Sequence, residues 1–375
     1  LALCTDNLSD PEIALPGEHF NTVLYTGNTP SSQAVTGVGF EPDWVWLKSR
    51  SATSGHIVQD VVRGATTRLE TNSTGIEVTD ATYVASFDSD GFTVGTNTDT
   101  NASGGTFVAW NWKAGGAPTA DNSAGAGATP TAGSVKIDGS NLGSALAGDI
   151  AATRISANTT AGFSTVTYTG ADVAGNTVAH GLSQAPELII VKDLTTAEDW
   201  QGFDAIGGPT KYIQLNDTGG YATDTTRWND TAPTSTVFSL GTSDKVNDSG
   251  DEYVAYCFHS VEGYSKVGSY GGNGVVDGSF IYTGFQPAYI LIKRTDTSGR
   301  WSIWDNKRED YDGNVNETTL RADVVDIEQD HTDMSLDFLS NGIKIRNASN
   351  FDNNSSGTYI YLAFAKSPFK TSNAR

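Results

Sequence analysis

The stretch TFVAWNWKA (residues 106–114) decides the fold class of this chain. Its apolar residues occupy both faces of an extended strand, with one face formed by Val108, Trp110 and Trp112 and the other by Phe107 and Ala109. A strand that is apolar on both faces lies in the middle of a layered structure, where other layers cover each side. The stretch therefore predicts an all-β fold built from β-sandwiches.

The same stretch returns twice, and three further phrases return in the same order around it. Its counterparts are EYVAYCFHS (252–260) and YLAFAKS (361–367). The other phrases are TVLYTG (22–27) with TVTYTG (165–170), GFEPDWVWLKSR (39–50) with LSQAPELIIVKD (182–193) and GFQPAYILIKR (284–294), and SFDSDGFTVG (86–95) with STVFSLG (235–241) and DFLSNGIKIR (337–346). Fixed order and spacing indicate internal repeats. We expect three tandem, related β-sandwich units of jelly-roll or lectin-like type.

The repeats predict a division of the chain into five parts. These are an extended N-terminal arm (1–19), repeat one (20–116), a Gly/Ala/Thr-rich spacer (117–161), repeat two (162–264) and repeat three (265–375). The first part of the spacer is expected to be flexible or extended, and the second part to form a short hairpin or to lie along a partner. Repeat three looks degraded, since Lys366 takes the place of the aromatic at Trp112 and Phe258 in this alignment.

Composition limits the classes of function. The chain has 375 residues, 41 of them glycine, and a net charge of −21. Contact with a nucleic-acid backbone needs a stripe of basic residues, which the sequence lacks. No apolar run approaches the ~20 residues that cross a bilayer, so no membrane insertion is expected. Of the two cysteines, Cys257 lies in an apolar strand and is predicted to be a buried free thiol.

Candidate chemistry in the sequence is sparse. The histidines lack zinc-ligand spacing, and no serine stands in a nucleophile elbow, so we expect no enzyme activity and no cofactor or metal. The acidic turns at 88–90, 247–251 and 352–357 resemble calcium loops in composition. They lack the distal bidentate glutamate of an EF-hand, and ordinary turns use the same residues. Turns are the favoured interpretation, and calcium is the open alternative.

The eight tryptophans fall into two groups. Trp44, Trp46, Trp110 and Trp112 stand in apolar strands and are predicted to pack in cores. The other group stands among polar residues and supplies candidate exposed faces for stacking on sugars: Trp200, Trp228, Trp301 and Trp304.

The phrases FNTVLYTGN (20–28), VTGVGFEPDWVWLKSR (35–50), VVRGATTRL (61–69), SFDSDGFTVG (86–95) and TFVAWNWKAGG (106–116) carry a family resemblance. Together they resemble repeat domains in structural proteins of marine and freshwater tailed bacteriophages, which include tail-fibre and other virion appendage proteins. The segment from 134 to 170 is similar to the joint between such domains. The resemblance implies a virion-associated β-sandwich and supplies no catalytic residues.

Three functions follow as hypotheses. The leading one is a structural subunit of a phage fibre, spike or similar extracellular filament, located at the virion surface. It would assemble with itself and with other virion proteins through sheet edges, the arm and the spacer. The alternative is a glycan-binding module that recognises host surface glycans through loops at the sandwich ends. A depolymerase is third and requires two carboxylates facing one cleft.

Overall fold

The computed structural model describes residues 10–308, 315–330, 334–349 and 351–372. This part of the chain is nearly all β-strand, with three helices of a single turn each. The predicted all-β class is therefore confirmed. The boundaries of the three predicted sandwich domains stay a prediction. By their place in the sheets, the strands fall into three groups, which we call units.

The first unit (residues 20–112) contains a six-stranded sheet and a three-stranded sheet. The large sheet has the order β1-β9-β3-β4-β5-β6 and the small one β2-β8-β7, each strand antiparallel to its neighbours. The strands are β1 (Phe20–Thr26), β2 (Gln33–Thr36), β3 (Trp44–Ser49), β4 (Ile57–Asp60), β5 (Thr67–Glu70), β6 (Val78–Thr79), β7 (Val84–Asp88), β8 (Gly91–Val94) and β9 (Thr106–Trp112).

The second unit (residues 135–258) repeats the order of the large sheet and extends it. Its strands follow β11-β10-β12-β13-β20-β15-β16-β17-β18, and a separate pair is β14-β19. The strands are β10 (Val135–Ile137), β11 (Ser140–Asn141), β12 (Arg154–Asn158), β13 (Phe163–Thr169), β14 (Thr177–Ala179), β15 (Leu188–Asp193), β16 (Gln201–Asp204), β17 (Lys211–Gln214), β18 (Ala222–Thr223), β19 (Val237–Ser239) and β20 (Glu252–Phe258).

The third unit (residues 265–368) has the strand orders β21-β29-β23-β24-β25-β26 and β22-β28-β27. These orders match those of the first unit position by position. The strands are β21 (Ser265–Gly271), β22 (Phe280–Tyr282), β23 (Phe285–Arg294), β24 (Trp301–Asp305), β25 (Thr318–Arg321), β26 (Gln329–Asp330), β27 (Leu336–Leu339), β28 (Gly342–Ile345) and β29 (Thr358–Pro368).

Three helices of one turn each lie in connections, and side-chain caps begin them. They are α1 (Thr98–Asn101), α2 (Thr225–Trp228) and α3 (Asp244–Asn247), capped by Asn97, Asp224 and Ser243 respectively. Each capping oxygen accepts a hydrogen bond from the backbone N–H two residues later, which satisfies a donor that the short helix leaves unpaired. Asn101 and Asn247 end α1 and α3 with buried amides. Each of these amides donates to backbone carbonyls of a neighbouring loop.

The spacer is ordered and belongs to the sheet of the second unit. β10 and β11 form the predicted hairpin, and β12 pairs with both β10 and β13. Before the hairpin, Thr119 N–H donates to the Gly133 carbonyl. The first part, predicted to be flexible or extended, forms no strand between β9 and β10, and its hydrogen bonds hold it against the same body.

The arm is the other connecting segment. Its residues 1–9 lie outside the described residues. From Asp10 onward it packs on the third unit, where Asp10 forms an ion pair with Lys370 at 2.7 Å. The Ile13 side chain is buried in a core to which all three units contribute, described next as the central core. A 3₁₀ turn at Pro16–Glu18 leads into β1.

One aromatic core joins all three units. Each unit has its own core between its large and small sheets, and the opposite faces of the three large sheets meet in a fourth. There Trp44 lies 4.4 Å from Trp112 and 4.6 Å from Tyr256 of the second unit, measured between ring centroids. Aromatic pairs at such distances add to the stabilisation that burial of their area provides. The units therefore share their largest apolar surface.

The last strand of the third unit, β29, aligns with β9 and β20 in a different register from the one that the sequence predicted. Phe20 pairs with Trp112, Phe163 with Phe258 and Ser265 with Phe364, so these three aromatics are equivalent. Phe364 packs against Trp112 in the central core at 5.7 Å. The expectation that Lys366 replaces the aromatic is wrong, because β29 carries it two residues earlier.

Candidate functional site

The four tryptophans expected to be exposed are all buried. Trp200, Trp228, Trp301 and Trp304 are each at most 3% exposed. Their indole faces are covered by protein and offer no surface on which a sugar could stack. The expectation of exposure is wrong because the apolar surroundings of these residues come from distant segments of the chain.

Two of these tryptophans connect neighbouring units. The indole N–H of Trp200 donates to the Glu70 carbonyl of the first unit at 3.0 Å. The indole N–H of Trp301 donates to the Gln214 carbonyl of the second unit at 2.7 Å. Glu70 and Gln214 end the corresponding strands β5 and β17. A hydrogen bond from an indole N–H to a backbone carbonyl therefore joins the second unit to the first, and an equivalent one joins the third unit to the second.

Buried carboxylates form a second set of contacts between units. Asp60 accepts from the Tyr256 hydroxyl of the second unit at 2.7 Å, and Asp305 accepts from the Trp110 indole N–H of the first unit at 3.0 Å. In the second unit, Asp204 accepts instead from Tyr221 of its own unit at 2.6 Å. We call the three boundaries the first seam (units one and two), the second seam (two and three) and the third seam (three and one).

Three buried lysines occupy one equivalent position, near the ends of β3, β15 and β23. Burial lowers the pKa of Lys48, Lys192 and Lys293 to about 8. The ammonium of Lys48 donates to the Val325 carbonyl of the third unit, and that of Lys293 donates to the Asp217 carbonyl of the second. Lys48 therefore bonds to a carbonyl across the third seam, and Lys293 bonds to one across the second.

A polar cleft of about 760 Å³ lies beside the first unit and contains His19, Asp43 and Asn158. Burial raises the pKa of Asp43 to about 7. The carboxylate accepts from the backbone N–H of Ala114 at 2.6 Å. In the second unit Glu187 accepts in the same way from the backbone N–H of Ser260. Asp43 thus holds the end of β9, which is a structural task.

The acidic turn at 88–90 is bonded to groups of the chain itself. The Asp90 carboxylate accepts from the backbone N–H groups of Gly37 and Gly39, and Asp88 accepts from the Thr93 hydroxyl. Within the described ranges, no group of three or more His, Cys, Asp or Glu side chains is arranged to hold a metal ion. No helix in the same ranges is long and apolar enough to cross a membrane. Cys257 is a buried free thiol, as predicted.

The small sheets differ in how their first strand is covered. In the second unit, the segment from 148 to 150 lies against β14: the Ile150 N–H donates to the Thr177 carbonyl at 3.0 Å, and Asp149 bonds to Thr177 through its side chain. In the sheets of the described residues, the corresponding strands β2 and β22 each have one neighbour only. No strand of the described sheets therefore lies on their outer edges, and the Tyr282 carbonyl of β22 accepts from the Lys266 ammonium at 3.0 Å.

The open edge of β22 carries exposed aromatics. Phe280 is 48% exposed and Tyr282 is 55% exposed, and both point to the solvent side of the small sheet. Val275 and Val276 precede them and are also exposed. The equivalent places on β2 of the first unit hold Ala34 and Thr36. The aromatic edge is therefore specific to the third unit. Sequence patterns did not identify it, although the alternation in SFIYTG (279–284) was visible.

Comparison with protein families gives one result. Residues 15–368 match the family described as Domain of unknown function (DUF7483). The chain belongs to this family. No curated protein and no solved structure matches it. The match spans all three units, so the family is defined over the whole body that surrounds the shared core.

Proposed function

We propose that the protein is a structural subunit of a phage fibre, spike or similar extracellular filament that binds further copies through the open edge of β22. The observation that carries this proposal is the contrast between β14 and β22. The chain itself covers β14 with residues 148–150, whereas no strand of the described sheets lies on the outer edge of β22, where the Lys266 ammonium donates to the Tyr282 carbonyl at 3.0 Å beside two half-exposed aromatics. Such edges pair readily with other chains.

The shared core supports the same proposal from a different direction. Three units that bury their largest apolar faces together form a single stiff body, since separating any one of them would expose stacked aromatics. Stiffness of this kind suits a subunit that transmits force or fixes spacing in an assembly. The location at a virion surface and association with other virion proteins rest on the sequence resemblance and belong to this proposal.

The proposal is tested by measuring self-association. Sedimentation velocity and negative-stain microscopy over a range of protein concentrations should show oligomers or filaments that grow with concentration. The double variant Phe280→Lys, Tyr282→Lys should abolish them, because it adds charge beside Lys266 and Lys344. The matched control is Ala34→Lys, Thr36→Lys at the equivalent places of β2, which should assemble normally. Monomers at every concentration would refute the proposal.

A further inference from the structure

One backbone position carries a different side chain in each of the three units. It precedes the residue of β3, β15 or β23 that pairs with the equivalent aromatic of the last strand, and it is occupied by Asp43, Glu187 and Ala288. In each unit its carbonyl accepts from the N–H of the residue that follows β4, β16 or β24, at 2.9, 2.8 and 2.9 Å respectively: Val61, Ala205 and Asn306. The backbone at this position is therefore bonded in the same way in all three units, and only the side chain differs.

In the first two units this position supplies a carboxylate to the end of the last strand. Asp43 accepts from the Ala114 N–H at 2.6 Å, and Glu187 accepts from the Ser260 N–H at 2.6 Å. Ala288 has no group that could accept such a bond. The third unit therefore lacks the carboxylate that the other two units have at this place.

A cleft of about 320 Å³ lies at Ala288, in the third seam. The third unit contributes Lys307 and Lys366 to its lining, and the first unit contributes Asn21 and Thr22, among others. The volume lies at the lower end of the range for small-molecule sites. We call this place the Ala288 cleft.

Two lysines give the Ala288 cleft a positive charge. Lys307 and Lys366 are both exposed, and neither forms an ion pair within the part of the chain that the structure describes. Among the described residues, no acidic side chain lines the cleft. The equivalent places in the first unit hold Val62 and Ala114, so the first unit lacks both charges. Because the chain has a net charge of −21, attraction of an anion here depends on these two lysines.

The wall of the cleft also contains buried polar groups. Thr22 is 4% exposed, and neither its hydroxyl nor the amide oxygen of Asn306 has a hydrogen-bond partner among the described residues. A buried polar group without a partner costs free energy. A ligand that bonds to either group would remove part of that cost, so a ligand with hydroxyl groups suits this cleft better than an apolar one.

We propose that the Ala288 cleft binds a small organic carboxylate of about the size of a sugar acid. The carboxylate of the ligand takes the place that Asp43 and Glu187 have in the other two units, and it pairs with Lys307 and Lys366. The template for this interaction is the contact of Asp43 with the end of β9 in the same molecule. Binding in the Ala288 cleft does not depend on self-association through β22, so each can fail without the other.

The test measures binding of glucuronate to the whole protein by isothermal titration calorimetry, with glucose as an uncharged probe of similar size. Glucuronate should bind saturably and at least about tenfold more tightly than glucose, because only glucuronate brings a carboxylate to the two lysines. Lys307→Gln and Lys366→Gln should each weaken glucuronate binding about threefold, and the double variant should weaken it about tenfold. The matched control is Lys113→Gln, which removes an exposed lysine at the place in the first unit that Ala365 has in the third. This control should bind glucuronate as the unchanged protein does.

A further variant supplies the missing carboxylate from the chain itself. Ala288→Asp places an acidic side chain where the first unit has Asp43, so it should abolish glucuronate binding. It should also raise Tm above that of Ala288→Asn by about 1–2 °C, because its carboxylate pairs with the two lysines. Adding Lys307→Gln and Lys366→Gln to both variants should remove this difference in Tm.

Absence of saturable glucuronate binding would overturn the proposal, as would equal affinities for glucuronate and glucose. Binding that the double lysine variant or Ala288→Asp leaves unchanged would overturn it as well. Orthophosphate that binds more tightly than glucuronate would assign the cleft to a different anion and would also overturn it. A protein that stays monomeric but binds glucuronate with the expected dependence on the two lysines would refute only the proposed function.

Discussion

The hydroxyl of Tyr256 offers the sharpest test of how the units are joined. It is fully buried in the first seam, donates to Asp60 at 2.7 Å and accepts from Arg63 at 3.2 Å. Tyr256→Phe removes this oxygen and leaves the ring in place. The substitution therefore isolates one polar contact between the first and second units.

The expected cost follows from what remains around Asp60. A hydrogen bond to a charged group contributes about 1.5–3 kcal/mol to the free energy of unfolding. Asp60 keeps its ion pair with Arg63 and two backbone N–H donors, from Val62 and Arg63. Because the carboxylate stays well bonded, we expect a loss near the lower end, about 1.5–2 kcal/mol. For a chain of this length unfolding as one body, that corresponds to a fall in Tm of about 2–3 °C.

The assay is urea unfolding followed by both tryptophan fluorescence and far-UV circular dichroism. The two signals should change together, because the shared core prevents one unit from unfolding alone. The control Tyr282→Phe removes an exposed hydroxyl and should lie within about 0.5 kcal/mol of the unchanged protein. The Tyr256→Phe variant should still fold, since Leu362 stands at the place in the third unit that Tyr256 has in the second. A loss below about 0.5 kcal/mol for Tyr256→Phe would refute the reasoning.

Two further predictions concern charge and tryptophan environment. Because burial raises the pKa of Asp43 from 3.8 to about 7, its carboxyl group takes up a proton on folding, and stability falls as pH rises from 4 to 7. Asp43→Asn keeps an acceptor for the Ala114 N–H. At pH 8 the variant should be more stable than the unchanged protein by on the order of 2 kcal/mol, and near pH 4 the two should be equally stable. Urea unfolding at both pH values measures this, and a difference that does not change with pH would contradict it. All eight tryptophans are buried, so iodide should barely quench their emission and oligosaccharides should not shift it; strong quenching would show an exposed indole.

Local patterns predicted the strands of the first unit well. The stretch Trp44–Ser49 is a fully buried strand, and β7 and β8 form a hairpin around Asp90 and Gly91. Both features depend on residues that are adjacent in the chain: an apolar run, and a two-residue turn of Ser89 and Asp90 after which Gly91 begins β8 with a positive φ. Val108, Trp110 and Trp112 lie in the central core and Ala109 in the core of the first unit, as the alternation predicts.

Contacts between units were beyond the reach of such patterns. Trp200 has polar neighbours in sequence, but it is buried in the shared core and its indole N–H donates to the Glu70 carbonyl, 130 residues away. The second part of the spacer was predicted to form a short hairpin or to lie along a partner, and in the structure β12 pairs with β13 of the same sheet. Glycines and alanines that favour flexibility in a free linker also allow close backbone pairing. For Trp200 the partner comes from a different unit, and for β12 it comes from the next strand of its own unit.

Joining three similar units in one chain removes a constraint that symmetry imposes on separate subunits. In a homotrimer every substitution appears three times, so a groove cannot be closed at one boundary and open at another. Here Arg154 bonds across the first seam, Arg50 and Glu328 pair across the third, and Trp301 and Lys293 donate to backbone carbonyls across the second. Covalent linkage thus allows each boundary to diverge by itself, so that three similar units can be joined by three different sets of contacts.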